Sequence, residues 1–140
     1  MFNTAKRALA IMLAENGHNV TLWSFLHEEY ATLAKDRENK QFLAGVKFPD
    51  NLELTDDMNL AKNAELIVMA TPSFAVSKTA ENLEKIIKPG TIVVNVSKGI
   101  DRDSGKRLSE VIEEKLQNKA KVVVLSGPSH AEEVGRGIPT

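Results

Sequence analysis

Three largely apolar runs constrain this chain most. Leu66–Ala70, Thr91–Val96 and Lys121–Leu125 are rich in Val, Ile and Leu, and each stops at a turn of small or polar residues. A strand wet on one face alternates polar and apolar positions. A continuous run suits a strand covered on both faces, the habit of parallel strands flanked by helices. The intervening segments carry helical spacing: Ser73 or a neighbour opens a helix to about Ile87, and Ser104–Leu116 is amphipathic. Ser129 can cap one more helix towards Gly135. The class is therefore α/β, with a doubly wound, mostly parallel sheet.

The first half repeats the alternation in shorter pieces. Asn3 or Thr4 can cap a helix in which Ala5, Ala8, Leu9, Met12 and Leu13 share one face, and Gly17 stops it. Asn19–Trp23 reads as a strand, His27–Arg37 as a helix and Glu38–Asp50 as irregular. Leu52–Leu54 suits a short strand and Met58–Ala64 a short helix. At 140 residues the chain fits a single domain.

Composition narrows the functions. There is no cysteine, so disulfides and thiolate metal sites are excluded. The 3 histidines form no ligand cluster. Net charge is −1 with both signs mixed, so there is no basic stripe for nucleic acid. No apolar run reaches membrane-span length and the first residues form no secretory signal, so a soluble cytoplasmic protein is expected.

Ligands of such sheets bind beyond the C-terminal ends of the strands. Four segments stand there: Ser24-Phe25, Thr71-Pro72-Ser73, Ser97-Lys98-Gly99 and Ser126-Gly127-Pro128-Ser129. An anion would suit this rim. Lys98 follows a buried strand directly, and its ammonium can hold a phosphate or a developing oxyanion, or serve as a solvated strand end. Gly127 allows a ligand close to the backbone, and the helix start after it favours an anion; a plain turn and cap satisfy the same residues. Pro72 and Ser73 suit a helix start with or without a ligand. Phe25 can lie against an adenine ring or pack, and His130 suits an acid–base role or a surface position. The Lys/Glu mixture over Lys106–Lys119 reads as a solvated helix face with i,i+4 pairs.

Taken together, these segments resemble the N-terminal domain of bacterial NAD(P)-dependent glycerol-3-phosphate dehydrogenase, from about Ala8 to Thr140. The residues that carry the resemblance are Ala8-Leu9-Ala10 through Leu13-Ala14, Asn16-Gly17-His18, Leu22-Trp23, Asn39 with Phe42-Leu43, and Phe48-Pro49-Asp50-Asn51-Leu52. Pro72-Ser73, Ser97-Lys98-Gly99-Ile100, Gly105-Lys106-Arg107-Leu108-Ser109-Glu110 and Ser126-Gly127-Pro128-Ser129 with Ala131 and Glu133 complete it. The resemblance implies hydride exchange between NAD or NADP and the glycerol 3-phosphate/dihydroxyacetone phosphate pair, a source of phospholipid backbones. It implies substrate contacts at Lys98, Gly127 and Ser129. It implies cofactor contacts at Lys98 and Ala131, with Pro72, Ser73 and Phe25 on the same rim, and it admits a homodimer.

The chain also departs from the family. A first strand and a G-x-G-x-x-G turn are expected before Ala8; in register, Met1, Asn3 and Lys6 stand where the glycines belong. Weak or no binding of NAD(H) follows as an expectation. The missing strand would be central, so its loss should give poor solubility, a rearranged sheet or a strand from elsewhere. Residues 1–140 are thus expected to be a partial dinucleotide-binding domain, without the helical domain that carries the family's catalytic lysine; no catalytic residue is assigned. Ser24-Phe25 supplies no cation for an NADP phosphate, and Ala44 replaces a proline common in the family. The alternative is a catalytically inactive relic, or a partner- or anion-binding module of the same fold.

Overall fold

The structure is a computed structural model that describes residues 2–38, 40 and 44–139. Met1, Asn39, Phe42, Leu43 and Thr140, all named above, lie outside the described residues. Among the described residues the elements follow in order: α1 (Phe2–Glu15), β1 (Val20–Trp23), α2 (His27–Asp36), β2 (Leu52–Thr55), a 3-10 turn (Met58–Asn63), β3 (Leu66–Met69), α3 (Ser73–Glu84), β4 (Thr91–Asn95), α4 (Leu108–Leu116), β5 (Ala120–Val124) and α5 (Ala131–Gly135). The α/β class with parallel strands holds. The strands divide into two sheets, β1-β2 and β3-β4-β5, and among the described residues no strand joins them. The chain forms two compact units, one of residues 1–58 with 128–140 and one of residues 59–127.

In the first unit, β1 and β2 run parallel with Val20 opposite Leu52 and Leu22 opposite Leu54. Ala8, Ala10, Ile11 and Ala14 of α1 pack with Leu22, Leu33, Phe48 and Leu52 into one core, against which Ala131 and Val134 also lie. This corrects the expected face of α1. Thr4, Arg7, Ala8, Ile11 and Ala14 point inward, Ala5 is exposed, and Leu9, Met12 and Leu13 are only half-buried. Small residues win the inner face because alanines allow a helix close approach. The helix also begins at Phe2, before either expected cap. Its end is as expected, with Gly17 at φ 88°.

The Phe48–Leu52 segment works structurally. Phe48 enters the core, and the Pro49 and Leu52 carbonyls accept bonds from the Arg37 guanidinium at 2.6 and 2.9 Å. Asn51 Nδ2 donates to the carbonyls of Ala14 (2.8 Å) and His18 (3.2 Å), closing α1's free C-terminal end. Asn51→Ala should therefore cost about 1–3 kcal/mol, because a partly buried helix carbonyl loses its donor. Urea unfolding checks this, and a loss indistinguishable from zero would remove Asn51 as a lock.

In the second unit, β4 lies between β3 and β5, all parallel. α3 packs on α4, and α4 on β5. Val76, Ala80 and Leu83 of α3, Val111, Ile112 and Leu116 of α4, and Val93 of β4 are buried. The opposite face is open: Leu66 pairs in register with Ile92, and both are exposed, as is Val123. The apolar runs thus overstate coverage: one face is open, and on the other Val124, opposite the buried Asn95, is 54% exposed.

Several boundaries move. α3 ends at Glu84 rather than Ile87, where the amides of Ile86 and Ile87 both turn back to the Leu83 carbonyl. α4 starts at Leu108 rather than Ser104, because Asp101 Oδ2 accepts the Ser104 amide and hydroxyl and Gly105 takes φ 69°. The short helix after Met58 is 3-10. The expected i,i+4 pairs on α4 are absent among the described residues; Lys115 instead pairs with Glu81 of α3 at 2.7 Å, and Lys119 with Glu84.

Candidate functional site

The C-terminal edge of β3-β4-β5 is a knot of three loops. Ser97 Oγ donates to the carbonyl oxygen of Thr71 at 2.6 Å and lies 3.3 Å from that of Met69, tying the loop after β4 to the loop after β3. Asn95 is 3% exposed, and its Oδ1 accepts the Ser97 amide at 3.1 Å. The Leu125 amide donates to the Asn95 carbonyl at 3.0 Å, which fixes the loop after β5. Gly99 has φ 119°, and a Cβ there would sit 3.4 Å from the Cβ of Ser73. The Thr71 hydroxyl is buried without a partner.

This network places Pro72, Ser73 and Lys98 on one edge. Pro72 caps α3 through backbone geometry alone, and Ser73 is its first residue. Lys98, held between Ser97 and Gly99, is exposed, and its ammonium has no ion-pair partner among the described residues. Arg107, which lies on the same edge, is already paired with Glu110 at 3.1 Å. A hollow on this edge is lined by Asn95, Ser97, Gly99, Arg107, Leu108 and Val124. Gly127 follows β5; it is exposed, nothing lies within 4 Å of an added Cβ, and its φ is not positive. The protein's own packing therefore does not require glycine at that position.

The remaining candidates belong to the other unit. Ser129 is exposed and does not cap α5; the cap is His130, without a side-chain bond, which corrects the expected role. α5 has five residues, too short for an anion seat, and Glu132 and Glu133 already occupy its first turn. Ala131 is packed on the α1 core. Phe25 is 79% exposed, with its ring edge-on to Trp23 at 6.2 Å. Beside it Ser24 is buried, its amide donating to the Thr55 carbonyl. His27 Nδ1 lies 2.5 Å from Asp56 Oδ2, and that hydrogen bond holds the Asp56 carboxyl below its ordinary pKa.

The start of α1 holds a cluster that the sequence alone conceals. Glu29, in the first turn of α2, takes both Lys6 (3.6 Å) and Arg7, a short ion pair. Arg7 is 4% exposed, and its Nε is buried with no acceptor. Burial lowers the pKa of both cations, against the pull of Glu29. The resemblance puts a dinucleotide's pyrophosphate at this turn. The residues present do not fit it: two large cationic side chains stand on the helix start, already engaged by an internal carboxylate.

Parallel strands joined by helices, in two small sheets, define an α/β domain of the Rossmann-like class. A family profile described as "NAD-dependent glycerol-3-phosphate dehydrogenase N-terminus" matches residues 7–140, and the chain belongs to this family. It is 47% identical over 135 residues to a glycerol-3-phosphate dehydrogenase [NAD(P)+] of Fusobacterium nucleatum, covering 95% of this chain and 40% of the relative. It is 50% identical over 135 residues to that of Prosthecochloris aestuarii, covering 94% and 41%. The crystal structure of glycerol-3-phosphate dehydrogenase from Coxiella burnetii superposes with a TM-score of 0.91 at 29% identity, covering 98% of this chain and 42% of that one. The chain thus spans about two fifths of the length of these relatives.

Proposed function

We propose that this chain is the nucleotide-side part of an oxidoreductase that moves hydride between NAD(P) and the glycerol 3-phosphate/dihydroxyacetone phosphate pair. The free, exposed ammonium of Lys98 on the knotted edge carries this reading. Its charge would meet the substrate's phosphate or carbonyl oxygen, where a fixed cation favours negative charge. Gly127 and Ser129 would approach the substrate, and Lys98, Ala131, Pro72, Ser73 and Phe25 the cofactor. Ser24 and Phe25 are neutral and His27 is paired with Asp56, which favours NAD over a 2′-phosphorylated cofactor. The catalytic lysine would come from a helical domain beyond this partial dinucleotide-binding one. A cytoplasmic protein with no nucleic-acid role is part of the same reading, supported by its mixed charge and lack of cysteine. So is a homodimer, supported by the open apolar sheet face. No helix among the described residues is long and apolar enough to cross a membrane.

The test is titration of glycerol 3-phosphate into this chain and into Lys98→Ala, followed by amide chemical shifts. The expected result is saturable shifts at residues 97–99 and 126–129, with affinity at least about tenfold weaker in the variant, the scale of one charged contact. Equal affinities, or no shifts in either protein, would overturn the assignment.

A further inference from the structure

We infer that Glu29 is an internal stand-in for a phosphoryl group, occupying a cationic seat at the start of α1 built by Lys6 and Arg7. The cluster holds two cations and one carboxylate, all mostly buried, so one positive charge is uncompensated. It also holds one donor too many, since the Arg7 Nε has no acceptor. Desolvated donors without acceptors are costly, so the pair calls for more oxygens than a single carboxylate supplies. A tetrahedral oxyanion supplies them. Long side chains on a helix lean towards its N-terminus, where the first-turn N–H groups lack intrahelical partners and favour negative charge. Lys6, Arg7 and the helix start therefore converge on one region.

Glu29 reaches this region from another helix, 22 residues away in sequence from Arg7. Being part of the same molecule, its carboxylate is present at an effective concentration that free phosphate does not match. The seat is thus closed to pyrophosphate or a phosphate monoester while Glu29 stays, and opens when its charge is removed. This does not rest on Lys98, which lies in the other unit.

The experiment is calorimetric titration of inorganic pyrophosphate into the full 140-residue chain and its variants. The unaltered chain is expected to bind more weakly than about 1 mM, and Glu29→Gln at least about tenfold more tightly than that. Adding Lys6→Gln to Glu29→Gln should abolish the gain. Glu29→Asp keeps the charge on a shorter arm and should bind with intermediate strength; it carries the comparison if circular dichroism shows Glu29→Gln unfolded. Micromolar binding by the unaltered chain would overturn the inference. So would a folded Glu29→Gln, or a Glu29→Asp standing in for it, that binds no better than the parent.

Discussion

Ile112→Ala should lower the unfolding free energy by about 2–5 kcal/mol, while Ile92→Ala should cost about 1 kcal/mol or less. The residue type and the deleted atoms are the same. Ile112 is 0% exposed on α4, among Val111, Leu116 and the buried side of α3, so truncation leaves a cavity that close-packed neighbours fill poorly. Ile92 is 37% exposed on the uncovered side of β4, where solvent fills the space and little transfer energy is lost. Urea midpoints with unchanged slopes would give both numbers directly. Similar losses at the two sites would mean that the sheet is covered on both faces in solution.

The two glycines of the Lys98 edge should separate stability from binding. Gly99→Ala should cost about 1–3 kcal/mol, since φ 119° is a conformation that side-chain-bearing residues rarely adopt and the new methyl would meet Ser73 at 3.4 Å. Because Gly99 adjoins Lys98, ligand affinity should fall with it. Gly127→Ala should instead leave stability unchanged or raise it by about 0.4–1 kcal/mol, because the backbone is compatible, the space is open, and alanine narrows the unfolded ensemble. If a ligand presses against that backbone, the methyl still weakens glycerol 3-phosphate binding. Thermal unfolding and titration on the same samples resolve the two effects. A Gly127→Ala protein that binds normally would leave the turn purely connective.

The sequence made the elements legible where a local signal sufficed. The three apolar runs became β3, β4 and β5, Gly17 ended α1, and Lys98 stands at the edge where a strand-end cation belongs. Cross-chain effects were hidden. The inner face of α1 depends on what packs on it, so a count of large apolar residues picked the wrong side; alanines and Arg7 won. Glu29 looked like an ordinary first-turn acid, because its partners are on another helix. Asn95 did leave a trace, as the polar residue within an apolar run, with the same inward parity as Val93. The start of α4 went astray because Asp101 and Ser104 build a turn that competes with a helix.

The first unit is discontinuous in sequence: its leading segment ends near Met58, and α5, which packs on α1, comes from beyond Pro128. On a ribosome the intervening residues emerge and can close their own core while α1 still waits for that last piece. The order of synthesis therefore runs inside-out. The stretch delivered between the two segments is the first that can be completed, and α1 is among the last to find all of its neighbours.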